Sequence, residues 1–105
     1  MKKYILLAVL LAFSGGALAY SQDTEGVSRV FVTPQGSIAL QLKGGFPKAI
    51  ETNQCQTNNG WAGLKTSDPV LKSVIIAAKS SGQKLTVTIE GCEGTWFKIK
   101  DLYMN

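Results

Sequence analysis

The chain has no histidine. That removes the side chain most often used as a general acid or base near neutral pH. It also rules out Ser/His and Cys/His nucleophile pairs and the commonest nitrogen ligand of a zinc site. Cysteine is scarce as well. Cys55 and Cys92 are the only two, and no Cys-x-x-Cys spacing points to a redox or metal motif. Acidic residues are few, seven in all. Glu90 and Glu93 are close enough to raise a glycosidase-type carboxylate pair. They flank a glycine-rich turn, however, where solvated charges are ordinary, and Asp68 already serves as a helix cap. Neither an enzyme, a resident metal nor a cofactor is expected. Long hydrophobic runs are missing too: Tyr4 to Phe13 is ten residues, half of the roughly 20 that a membrane-spanning helix needs.

That short run has another reading. Met1-Lys2-Lys3 is a basic start, Tyr4 to Phe13 an apolar core, and Ser14-Gly15-Gly16 a break. Ala17-Leu18-Ala19 then places small residues where a signal peptidase reads them. Residues 1–19 are therefore expected to be a secretory signal peptide, cleaved before Tyr20. No cysteine follows as a lipid attachment point, so a periplasmic or secreted product is expected. Residues 20–105 then form a single domain of 86 residues, near the small end of what folds alone. Such a domain usually needs a staple, and in an exported protein two cysteines most simply supply it. A Cys55–Cys92 bond would close a loop of 37 positions and contribute about 4 kcal/mol through the entropy of the unfolded chain. With Lys2 and Lys3 removed, nine basic residues face seven acidic ones, a net charge of +2. The lysines are scattered rather than gathered into a stripe, so no nucleic-acid partner is expected.

The mature chain reads as alternating segments around one helix. Tyr20 to Gly26 is polar and reads as a flexible arm or a short first turn. Val27 to Thr33 is β-branched, with Val30 and Val32 on one face and Arg29 and Phe31 on the other. After the turn residues Pro34-Gln35-Gly36, Ser37 to Lys43 alternates, with Ile38, Leu40 and Leu42 inward and Ala39 and Gln41 outward. The two runs make a hairpin. Phe46 to Gly60 is the least regular stretch, and Thr52 to Gly60 within it is almost wholly polar. Trp61 to Lys65 is a short third strand with Ala62 and Leu64 inward. Asp68-Pro69 caps and starts a helix over about 69–81, whose apolar face is Val70, Leu71, Val74, Ile75, Ala77 and Ala78, and Gly82 ends it. Lys84 to Glu90 alternates again, with Leu85, Val87 and Ile89 inward and Thr86 and Thr88 outward. Gly91-Cys92-Glu93-Gly94 is a turn, and Trp96 to Tyr103 is the last strand, with a twist or bulge before Leu102.

The order strand, strand, strand, helix, strand, strand matches the small Greek-key barrel of the oligonucleotide/oligosaccharide-binding (OB) fold. A plain five-stranded α+β sheet is the competing architecture. Binding is the better functional class. Trp61, Trp96, Tyr103 and Phe46 are candidate platforms for a sugar ring, and Asn58, Asn59, Gln54 and Gln56 candidate amides. Trp96 shares a strand face with Lys98 and Lys100. The reading settles on Trp61, Trp96, Lys98 and Asn58 as binding residues, although small barrels also use tryptophan as core or rim filler.

The stretch from Val27 to Tyr103 resembles the B subunits of bacterial AB5 toxins, especially the subtilase-cytotoxin and pertussis-like group. The likeness rests on the signal peptide, the chain size, the strand–helix order and the segment from Asp68-Pro69 through Ser81-Gly82 and Lys84-Leu85-Thr86-Val87 to Gly91-Cys92. The chain is also similar to small secreted gammaproteobacterial proteins of an uncharacterised family with the same Asp-Pro helix and Gly-Cys turn. The toxin likeness implies a homo-oligomeric ring of five subunits that binds cell-surface glycans, an edge strand of each pairing with its neighbour. It assigns no sugar-binding residue, because no binding motif aligns position by position. The expectation is thus a secreted, non-enzymatic binding domain for a glycan. The alternative is a structural or interaction protein that assembles with itself or a partner protein. An OB-type nucleic-acid binder is a weaker third.

Protein recovered from the periplasm should begin at Tyr20 and carry no free thiol. N-terminal sequencing that starts at Met1, or an intact mass with two free thiols, would contradict this reading.

Overall fold

Five strands form where the sequence alternates, but the first begins well before its hydrophobic pattern does. The computed structural model describes residues 19–105. The signal segment assigned to residues 1–19 lies outside that range except for Ala19. The strands are β1 (Ser21–Val32), β2 (Ile38–Leu42), β3 (Ala62–Leu64), β4 (Lys84–Glu93) and β5 (Trp96–Met104). The helices are α1 (Pro47–Glu51), between β2 and β3, and α2 (Pro69–Ser81), between β3 and β4. This is a small, mostly β, α+β domain with one mixed five-stranded sheet and one main helix. The strand order β1-β2-β3-β5-β4 returns to β1, so the pairing closes on itself. Every pair is antiparallel except β3–β5.

Closure depends on β1 serving two neighbours. Ser21 to Gly26 pairs with Ile89 to Lys84 of β4, and Val27 to Val32 pairs with Leu42 to Ile38 of β2. The register shifts between Val27 and Arg29, a bulge that bends the strand from one partner to the other. The polar stretch Tyr20 to Gly26, expected as a flexible arm or a short first turn, is therefore mostly strand. Its side chains find partners on β4: Gln22 Nε2 donates to Thr88 Oγ1 at 3.0 Å, and the Thr24 and Thr86 hydroxyls meet at 2.8 Å. The same contacts bury Thr86 and Thr88, which alternation alone assigned to solvent.

The described residues form two helices where one was expected, because Phe46 to Gly60 is not irregular throughout. Pro47 sits in the first turn of α1, and no side chain of the helix's own segment caps it. The cap comes from β1 instead. Lys48 N–H and Ala49 N–H donate to the two carboxylate oxygens of Asp23 at 3.0 and 3.2 Å. Asp23 is only 5% exposed, so these bonds also satisfy a buried charge. Phe46 and Ala49 drop into the core, and Phe46 packs on Phe97 with ring centroids 5.8 Å apart. Phe46 is therefore core filler and not an exposed platform.

Helix α2 has the bounds its capping residues predict. Asp68 Oδ1 accepts from Val70 N–H at 2.7 Å, and Gly82 closes the other end. Its buried stripe is narrower than expected. Leu71, Val74, Ile75 and Ala78 face the core, whereas Val70 is 70% exposed and Ala77 is exposed. Positions 71, 74, 75 and 78 are one i, i+3, i+4, i+7 stripe, enough to cover the sheet. The core itself is built from Ile38, Leu40, Leu42, Leu85, Val87, Ile89, Phe97 and Ile99. In β5 the register slips between Asp101 and Ile99, so Lys100 is extra and Leu102 returns to the core side. In β4, Gly91 adopts φ +78° at a second slip. Strand β4 consequently runs on to Glu93, and the expected Gly91–Gly94 turn shrinks to Gly94-Thr95. The Cys55–Cys92 disulfide is formed, with Cα atoms 5.1 Å apart.

Replacing Asp23 with alanine should cost about 2–3 kcal/mol, since two charge-assisted bonds and a cap are lost. Asp23→Asn, which keeps one acceptor, should cost about half that. Urea denaturation of both variants checks the order; equal stability of Asp23→Ala and wild type would mean that Asp23 does not hold α1.

Candidate functional site

The outer face of the sheet carries a row of side chains that shrinks to nothing. Register sets Phe31 of β1 opposite Ala39 of β2, and Ala39 opposite Gly63 of β3. Trp96, the first residue of β5, lies over the small end of this row. A Cβ on Gly63 would collide with Ile38 O and stand only 2.8 Å from both Ala39 Cβ and Trp96 Cε3. Glycine is therefore required here by close approach rather than by backbone angle. Trp61 enters from the residue before β3, where Phe97 N–H donates to its carbonyl at 2.9 Å. Phe31 presents its ring edge-on to both indoles, 6.3 Å from Trp61 at 70° and 6.1 Å from Trp96 at 72°. These are favourable T-shaped contacts.

Together Phe31, Trp61, Trp96 and Asn59 line an open cleft of about 270 Å³. Phe31 is 45% exposed and both tryptophans are half-buried. The Lys65 ammonium sits 5.3 Å from the Trp96 ring centroid, within cation–π range. Lys65 N–H in turn donates to Glu93 Oε2 at 3.0 Å. Glu93 thus holds the chain that carries the cation, while Glu90 is exposed on β4. Among the described residues, no carboxylate, hydroxyl or thiol lines the cleft. Its chemistry is two indoles, a phenyl edge and one amide, with an ammonium on the rim.

Trp61 and Trp96, far apart in sequence, are brought together. Lys98 pairs with Gly63 and is exposed on the same strand as Trp96 but does not line the cleft. Asn58 is turned inward to its own loop: its Nδ2 donates to Cys55 O at 2.8 Å and its Oδ1 accepts from Gly60 N–H at 3.0 Å. The amide that reaches the cleft is its neighbour Asn59, held by Asn59 N–H to Thr95 O at 2.8 Å. Gln54 accepts from Gly91 N–H at 3.3 Å, Gln56 is exposed, and Tyr103 lies towards the other end of β5, opposite Thr86. Phe31 was not singled out from sequence. Its signal was present in the hairpin: an outward aromatic opposite an outward alanine leaves an unfilled surface that something must cover.

A wider cleft of about 450 Å³ lies between Ala19–Gln22 and Lys48, Glu51 and Thr52. Its one aromatic ring, Tyr20, is already covered by Lys100 Nζ at 4.8 Å from the centroid. Among the described residues there is no group of three or more His, Cys, Asp or Glu able to hold a metal ion, and no helix long and apolar enough to cross a membrane. No protein-family model, curated protein or solved structure matches the chain.

Gly63→Ala should lift Trp96 off its seat, lower stability by about 1–3 kcal/mol and shift tryptophan emission to longer wavelength. Unchanged emission and stability would show that Trp96 does not rest on Gly63.

Proposed function

We propose that the mature chain is a periplasmic or secreted, non-enzymatic binding domain that stacks a sugar ring of a glycan in the Phe31/Trp61/Trp96 cleft. The observation that carries this reading is the convergence of three aromatic side chains over a floor of Ala39 and Gly63. A pyranose offers a flat C–H face that an indole desolvates well, and its hydroxyls suit an amide and an ammonium at the rim. The disulfide fits an oxidising compartment.

The architecture belongs to the same proposal. The strand order and the parallel β3–β5 closure support an OB-type barrel. That class binds ligands on the outer face of strands 2 and 3, between the β1–β2 and β4–β5 loops. The cleft lies on that face: Ala39 and Gly63 belong to β2 and β3, Phe31 precedes the first loop and Trp96 follows the second. Aromatic platforms of this kind also stack nucleic-acid bases. A backbone-tracking groove needs a tract of cations, however, and the domain's net charge is only +2, with Lys65 at the Trp96 ring and Lys98 beside Gly63. The alternative of an interaction protein draws on the exposed apolar side chains Val70, Ile76, Tyr103 and Met104. The likeness to AB5 B subunits would add a ring of five.

Oxidised mature protein should bind members of a glycan array, and Trp96→Ala should weaken that binding at least tenfold, about 1.4 kcal/mol, while Val70→Ser leaves it unchanged. Equal binding by Trp96→Ala would sink the cleft. A native mass of five subunits would favour the ring, and a monomer would leave glycan binding to a single site.

A further inference from the structure

The loop that carries Trp61 is tied to the hairpin that carries Trp96, and to little else. Within the Thr52–Gly60 loop, Cys55 alone belongs to the hydrophobic core. The hydrogen bonds that leave Gln54 to Gly60 for another element run mainly to that hairpin: Gln54 to Gly91, and Asn59 twice to Thr95. On the β4 arm the hairpin tip loses its other neighbour, while the β5 arm meets β3 from Phe97 onward. The β1–β4 ladder ends at Ile89, so beyond the Gly91 bulge β4 pairs with β5 alone. Cys55–Cys92 is the covalent link between these two pieces.

We propose that this disulfide is the positioning element of the aromatic cleft, so that the site exists only in the oxidised protein. The proposal rests on reading the cleft as the binding site and adds its regulation by thiols. The route is open on one side: Cys92 is exposed and Cys55 buried. The thiolate of an external dithiol attacks Cys92 Sγ, forming a mixed disulfide and releasing Cys55 as a thiolate. The Thr57 hydroxyl, 3.5 Å from Cys55 Sγ, can donate to that leaving sulfur. The second thiol of the reagent then closes its own disulfide and releases Cys92. Two electrons and two protons pass from the dithiol to the protein. Trp61 and Trp96 are then joined by the hydrogen bonds at Phe97, Asn59 and Gln54 and by their shared contact with Phe31, on a polar loop with almost nothing to bury.

Hydrogen exchange read by mass spectrometry tests this on mature protein, oxidised and after dithiothreitol, and on the double variant Cys55→Ala/Cys92→Ser. In the reduced protein and the variant, residues 52–61 and 91–95 should exchange as fast as an open chain, while Ile38–Leu42 and Leu85–Ile89 stay protected. Two results would overturn the proposal. Open-chain exchange in the sheet as well would mean that the bond holds the whole fold. Protection of 52–61 equal to the oxidised protein would mean that the hydrogen bonds suffice. The readout uses no ligand, so a failed glycan screen and a failed tie are separate results.

Discussion

Twelve residues of β1 hydrogen-bond to β4 through their first half and to β2 through their second. A strand left with a bare edge presents unpaired N–H and C=O groups to any neighbouring chain. The bend near Ser28 turns those groups onto a second partner within the same molecule. Once β1 spans both, the three-residue β3 and the parallel β3–β5 contact are enough to complete the circuit. The inward faces of β2, β4 and β5 then enclose one core, and α2 seals it with a single stripe.

That closure explains why polar residues stand where hydrophobic ones would be expected. Asp23 points inward, but the space it meets is the amino end of α1, whose free N–H groups need acceptors. Thr86 and Thr88 are buried because Gln22 and Thr24 lie across from them and share their hydroxyls. Asp23, Thr86 and Thr88 are each buried together with a partner, which lets so small a domain tolerate them.

The aromatic cleft uses the opposite device, a deliberate shortage of side chain. Ala39 and Gly63 leave the outer face of β2 and β3 thin, and Trp96 fills it from above. Phe31 and Trp61 complete the walls from two other elements. Neither tryptophan is anchored by the core: Trp96 leans on the glycine, and Trp61 is carried by a loop that the disulfide and Thr95 restrain. The cleft thus rests on contacts made outside the core.

Local chemistry settled much of this in advance. Asp68-Pro69 and Gly82 mark the ends of α2, the period-two pattern of Leu85, Val87 and Ile89 marks β4, and two cysteines in an exported-type chain leave one intramolecular pairing. Trp61 and Trp96 were legible as outward aromatics, but not as neighbours. The first half of β1, the helix α1 and the choice of Asn59 over Asn58 were not legible, and Phe31 was legible only as an outward aromatic without its partners. Each depends on a partner distant in sequence: Gln22 on Thr88, Lys48 on Asp23, Asn59 on Thr95, and Phe31 on Trp96. Propensity and periodicity report what a residue does with its near neighbours along the chain. Satisfying a buried carboxylate, or covering a bare glycine, is decided only when strand register brings distant residues into contact, and that register is a property of the closed sheet.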